Sequence, residues 1–211
     1  MGLFFECVYI CVPVFDRVKF MEEYARHMSS MFLLQAVLAS VVPYASVDLL
    51  NDAGFHDRSS AQEIFYFRAK LLHDFDVEKS QLRLLQGALI LSITHVSHYM
   101  PRDYRYWFSN AVSVANKMGI YKNLSNQRLG QPTRRILRRI WWIIYTWDAL
   151  LALHGMDTMR RFHDNRSDTS CLTEADWEEE IPPTLQDFLR PISKAEKVYL
   201  IESAKHSCLS M

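Results

Sequence analysis

Hydrophobic positions recur along this chain at steps of three and four, and no strand-like alternation of useful length appears. The densest stretch is Arg134 to His154, RRILRRIWWIIYTWDALLALH. Ile136, Ile140, Ile143, Ile144, Trp147 and Leu151 form one helical stripe. Leu137, Trp141, Trp142, Tyr145, Leu150 and Leu153 fill the opposite side. A helix that is apolar nearly all round is buried on several sides. Pro132 suits the first helical positions, and Gly155 suits the residue just past the end. The pattern predicts a central helix over about residues 133–154, at the heart of an all-α, single multi-helix domain.

Other elements follow the same logic. Phe4, Phe5, Val8, Tyr9 and Val12 have helical spacing before Pro13 stops the run. This apolar start has no lead-in, as expected of a chain that begins inside a domain or of a domain cut from a longer parent. Ser29 or Ser30 caps a helix through Met31, Leu34, Leu38 and Val42, and Pro43 or Asn51–Gly54 ends that region. Ser60 with Glu63 reads as a capping box ahead of Ile64, Phe67, Leu71 and Phe75, and the aromatic run Phe65, Tyr66 and Phe67 reads mostly as core filler. Ser80 opens a helix through Leu82, Leu85, Leu89, Ile93 and Val96. Pro101 opens another, through Trp107, Ala111, Val114 and Met118, which Gly119 ends. Thr173 with Asp176 caps a short helix, and a final one runs from about Ser193 to Leu209.

The chain has 211 residues, of which 49% are hydrophobic and 23% charged, so it can bury a generous core. A formal net charge of +0 argues against a domain-wide basic field for nucleic acid. Cys7, Cys11, Cys171 and Cys208 give no disulfide framework and read as reduced, core-packed thiols. The apolar runs fall short of the ~20 residues that span a bilayer. The chain reads as intracellular, with no membrane partner.

Candidate chemistry is sparse. His95 and His98 share one helix face, and a carboxylate from elsewhere would make them a metal site; a surface pair is the simpler reading. His163-Asp164 reads as turn chemistry. There is no Gly-rich phosphate loop, no nucleophile elbow and no Cys placed with a base, so no enzyme motif is present and no catalytic residue is assigned. Arg134, Arg135, Arg138 and Arg139 are the densest basic cluster. Cations in the first turns oppose the helix dipole, so they call for partners: internal acids such as Glu178–Glu180, or an external anion such as DNA phosphate. Asp148 is the only charge in the apolar part of the helix and must find a donor.

Arg138-Arg139-Ile140-Trp141-Trp142, then Tyr145, Asp148, Leu151-Ala152-Leu153 and Gly155, resembles the signature of the fungal-specific transcription factor domain. This is the middle homology region of binuclear zinc cluster regulators. Ala61–Leu72 (AQEIFYFRAKLL), Leu84–Ser92 (LLQGALILS), Tyr106–Ile120 (YWFSNAVSVANKMGI) and the LTEADW ending at Trp177 match further family motifs in the same order. The resemblance covers about residues 4–180 and makes 1–211 one regulatory domain with a C-terminal helix at about 193–209. Its signature residues are Arg138, Arg139, Trp141, Trp142, Asp148 and Gly155.

The resemblance implies a nuclear regulator of lipid utilisation or secondary metabolism, not an enzyme. Its partners would be a DNA-binding module or another protein, with DNA touched only indirectly, and a small-molecule effector is a further candidate. The sequence departs from the family at Ala149, where Arg is usual, and at Gly155-Met156-Asp157, where Gly-Arg-Pro is common. Four scattered cysteines cannot build the six-cysteine cluster, so the family's zinc has no site in these residues and no cofactor is expected. The competing expectation is an all-helical ligand-binding protein or enzyme unrelated to transcription.

Overall fold

A computed structural model describes residues 1–94, 103–122, 124, 128–154 and 170–209. Among them every regular element is helical: α1 Arg17–Ala25, α2 Met31–Val41, α3 Val47–Asp52, α4 Arg58–Asp74, α5 Gln81–Ile93, α6 Tyr104–Met118, α7 Gln131–Leu153 and α8 Lys194–Leu209. Short 3-10 turns lie at Val42–Tyr44, Glu174–Trp177 and Pro183–Leu185. The chain forms two compact units, one of residues 1–12 and 19–117, the other of 13–18 and 118–211.

In the first unit, α2 packs on both α4 and α5. Small residues make the approach possible: Ala36 and Ala39 on α2, and Ala61 and Ala69 on α4, are completely buried. On α5, a Cβ at Gly87 would run into the Phe32 ring, so only glycine lets α5 come this close. α6 is tied to α4 by Trp107, whose indole N–H donates to the Tyr66 hydroxyl at 2.8 Å, with the rings edge to face. The N-terminal run is a π-turn over Phe4–Val8, closed by the Tyr9 amide donating to the Phe4 carbonyl at 2.8 Å. Phe4, Phe5, Tyr9 and Phe20 meet there edge to face or tilted.

In the second unit α7 is the long element, packed against α8 and the 3-10 turn Glu174–Trp177. Ile136, Leu137, Ile140, Trp141, Trp142, Ile143, Ile144 and Tyr145 are all buried. Pro132 stands in its first turn after Gly130 as N-cap. At α8, Ser193 and Glu196 form the reciprocal cap, with the Glu196 amide donating to Ser193 Oγ and the Ser193 amide to the Glu196 carboxylate. The Arg190 guanidinium beside Glu196 holds that carboxyl down at about 2.

Several expectations need correction. The cap of α4 is Asp57, not Ser60: its carboxylate accepts from the Ser60 amide at 2.8 Å, so the helix starts three residues earlier. The stripe Ile64, Phe67, Leu71 and Phe75 is exposed, and α4 buries Ala61, Tyr66 and Ala69 instead. A further helix, α3 over residues 47–52, is not among those expected from the sequence; it is capped by the Ser46 hydroxyl and stopped at Gly54 with φ +82°, inside the expected Asn51–Gly54 turn. Pro43 sits inside a 3-10 turn, where its missing N–H costs nothing. On α7, Leu150 and Leu153 are exposed. Cys11 and Cys171 are exposed and Cys7 half-buried, so these thiols are not core filler. His95, His98, Pro101, Gly155, His163 and Asp164 lie outside the described residues.

Candidate functional site

The first turns of α7 carry Arg134, Arg135, Arg138 and Arg139, and steps of three and four bring Arg135, Arg138 and Arg139 onto neighbouring positions. Their partners come from the segment that follows Ser170. Arg138 Nη1 donates to Asp176 at 2.7 Å, and the Asp176 side chain is 1% exposed. Asp176 also accepts from the Thr173 amide at 2.9 Å and the Thr173 hydroxyl at 3.1 Å, which forms the 3-10 turn that presents it. Arg135 meets Glu178 at 2.9 Å in a largely exposed pair.

Arg139 is buried. Its Nη2 donates to the Phe15 carbonyl at 2.9 Å, and its guanidinium lies 5.1 Å from the Trp177 ring centroid. Arg17, also buried, pairs with Glu179 at 2.6 Å and donates to the Arg190 carbonyl at 3.0 Å. Trp142 donates its indole N–H to the Ser170 carbonyl at 3.0 Å. The result is a strap, Ser170 to Glu179, stitched to one face of α7 by alternating ion pairs, one cation–π contact and one indole hydrogen bond. Arg134 is used differently: its Nε donates to the Leu129 carbonyl at 3.0 Å and fixes the entry of the helix.

Two of the four arginines, Arg135 and Arg138, find internal acids, the first of the two partner classes expected for the cluster, while Arg134 and Arg139 are held by backbone carbonyls. Buried ion pairs are kept by geometry and extra hydrogen bonds, because each bare charge is expensive to bury. Here Asp176 has three donors and Arg139 has both a carbonyl and an aromatic face. The sequence pointed to Glu178–Glu180 but missed Asp176 and Arg17. The Thr173-x-x-Asp176 spacing signals a cap and hides its second use; Arg17, 162 residues from Glu179, gives no local signal.

Of the other signature residues, Trp141 and Trp142 pack inside this unit, and Gly155 lies outside the described residues. Trp141 is buried with Tyr121 and Tyr145 around it, and Trp142 meets Tyr145 edge to face. Asp148 is 2% exposed and is not without a partner. It lies ten residues beyond Arg138, roughly 15 Å along the helix, so it belongs to a different place. Two of the grooves among the described residues lie in this unit. One, of about 440 Å³, is lined by Thr146, Ala149, Leu150, Leu153, Tyr199 and His206, among others, and is mostly apolar. The other, of about 580 Å³, lies beside the strap and is lined by Arg17, Arg135, Trp177, Glu179, Glu180 and Lys197, among others. Among the described residues no group of three or more His, Cys, Asp or Glu could hold a metal, and no helix is long and apolar enough to cross a membrane.

Among the described residues the regular structure is all-helical, and the polar cluster ties segments of one unit together. The chain belongs to the family of the fungal specific transcription factor domain, whose profile matches residues 1–209. It is 37% identical over 198 residues to the fusaric acid cluster transcription factor of Gibberella moniliformis, covering 94% of this chain and 29% of that protein. It is 30% identical over 153 residues to the cutinase transcription factor 1 beta of Fusarium vanettenii, covering 72% of this chain and 17% of that one. Identity to the acetamidase regulatory protein of Aspergillus fumigatus is 28% over 179 residues, 79% of this chain and 21% of that protein. The chain thus spans less than a third of the length of these relatives. No solved structure gives a significant match.

Proposed function

We propose that the chain is the regulatory domain of a nuclear fungal transcription factor that controls a secondary-metabolite or lipid-utilisation gene set. It acts on transcription without catalysis and without touching DNA itself. The observation that carries the reading is the family domain, which takes in residues 1–209. The geometry supports the indirect role: Arg135, Arg138 and Arg139, the arginines best placed to meet phosphates, are already engaged with Glu178, Asp176, Phe15 and Trp177. The names of the relatives, regulators of a fusaric acid cluster, of cutinase and of acetamidase, support the metabolic target.

The domain works by biasing a DNA-binding module through protein contact, and a small effector shifts that bias by binding two conformations unequally. The test is a fusion of residues 1–211 to an unrelated DNA-binding module in a fungal host with a matching reporter. Reporter output should differ from that of the module alone, and the fusion should sit in the nucleus. Equal output from the two, in cells where both proteins accumulate, overturns the reading.

A further inference from the structure

α4 turns a continuous apolar stripe to solvent. Ile64 is 37% exposed, Phe67 42%, Leu71 50% and Phe75, at the C-cap, 76%. The steps are three, four and four, so these side chains share one face, opposite Tyr66 and Ala69, which α4 buries. Single exposed apolar residues are ordinary, but four in phase along one helix mark a place where something docks.

The charges beside the stripe say what fits. With Ile64 and Leu71 at a positions and Phe67 at d, Glu63 takes a g position and Arg68 an e position. A glutamate at g and an arginine five residues on at e are complementary across two copies of the same helix running in parallel. Each Glu63 then faces the Arg68 of the other copy, twice over by symmetry. Within the chain Arg68 has only the neighbouring Phe65 ring, 5.9 Å from its guanidinium carbon, and neither residue has an ion-pair partner among the described residues. Lys70, the next g position, is already paired with Asp74 at 2.7 Å.

We propose that a second copy of this chain covers the α4 stripe, in a parallel two-fold pairing locked in register by reciprocal Glu63–Arg68 bridges. The pairing is a device of the regulatory domain itself and stands whether or not the transcriptional reading does. The test is sedimentation velocity on the 211-residue chain over a concentration series. The chain should sediment with about twice its 24.8 kDa mass, and F67E should convert it to a monomer with an unchanged far-ultraviolet circular dichroism spectrum. E63K and R68E should each raise the dissociation constant roughly tenfold across the two symmetric pairs, and the double reversal should restore it. A chain that stays monomeric up to about 100 µM, or a dimer indifferent to F67E, overturns the proposal. A dimer lost to F67E, but whose E63K and R68E variants are not restored by the double reversal, overturns the parallel register.

Discussion

α7 and α4 both carry large apolar side chains at helical spacing, yet α7 buries most of them and α4 shows its stripe to solvent. The difference lies in what each helix offers on its remaining face. α4 buries Ala61, Tyr66 and Ala69, and α2, which packs on it, buries Ala36 and Ala39. Backbones that approach closely gain contact along their whole length, so the small-residue face wins the core and the bulky face is displaced outward. α7 has no small face in its first four turns. Its indoles, isoleucines and Arg139 all have to be enclosed, and the strap from Ser170 to Glu179 helps enclose them.

The sharpest way to break this contrast is to remove a buried indole. Trp141→Ala should destabilise the chain by about 3–5 kcal/mol in denaturant unfolding, since a large aromatic leaves a cavity its neighbours cannot fill. A loss below about 1 kcal/mol would mean that α7 is no more enclosed than α4. Next in size is the strap. Asp176→Ala should cost about 2–3 kcal/mol: it strips Arg138 of its partner, but Arg138 is 22% exposed and recovers some water. Limited proteolysis should then cut the 170–180 region faster than in the wild type. Unchanged cleavage would show that the remaining contacts, Trp142 to Ser170, Arg139 to Trp177, Arg135 to Glu178 and Arg17 to Glu179, hold the strap without Asp176.

The small-residue argument has its own test on α5. Gly87→Ala puts a methyl group into the Phe32 ring, and Phe32 is itself buried on α2. Overpacking of this kind should cost about 1–3 kcal/mol, although alanine is the better helix former. A gain in stability would mean that α2 and α5 separate easily, and that close approach is not what sets the inward face.

These contrasts also explain what could be read in advance. Helix caps at Ser30, Ser80, Thr173 and Ser193 were legible, because a cap is a local bargain between one side chain and a nearby amide. The family signature at Arg138, Arg139, Trp141 and Trp142 was legible as a pattern of types. The roles of those arginines were not, because Phe15, Asp176 and Trp177 come to them only through folding. The α4 stripe misled for a related reason. Periodicity reports that a helix has an apolar face, but which face turns inward is decided by the partner helix.

The smallest expected effect closes the comparison from the other side. Phe67→Ser or Leu71→Ser removes as many apolar atoms as many core truncations do, yet both side chains are about half exposed in the chain. Measured at concentrations low enough to keep the chain monomeric, either change should move stability by no more than about 0.5 kcal/mol. At high concentration the same variants should unfold earlier than the wild type, because mass action stabilises only a species that can pair. A loss above about 2 kcal/mol at low concentration would place the stripe in the core and remove the distinction between the two helices. Equal, small losses at both concentrations would keep the distinction and leave the stripe with no self-association to serve.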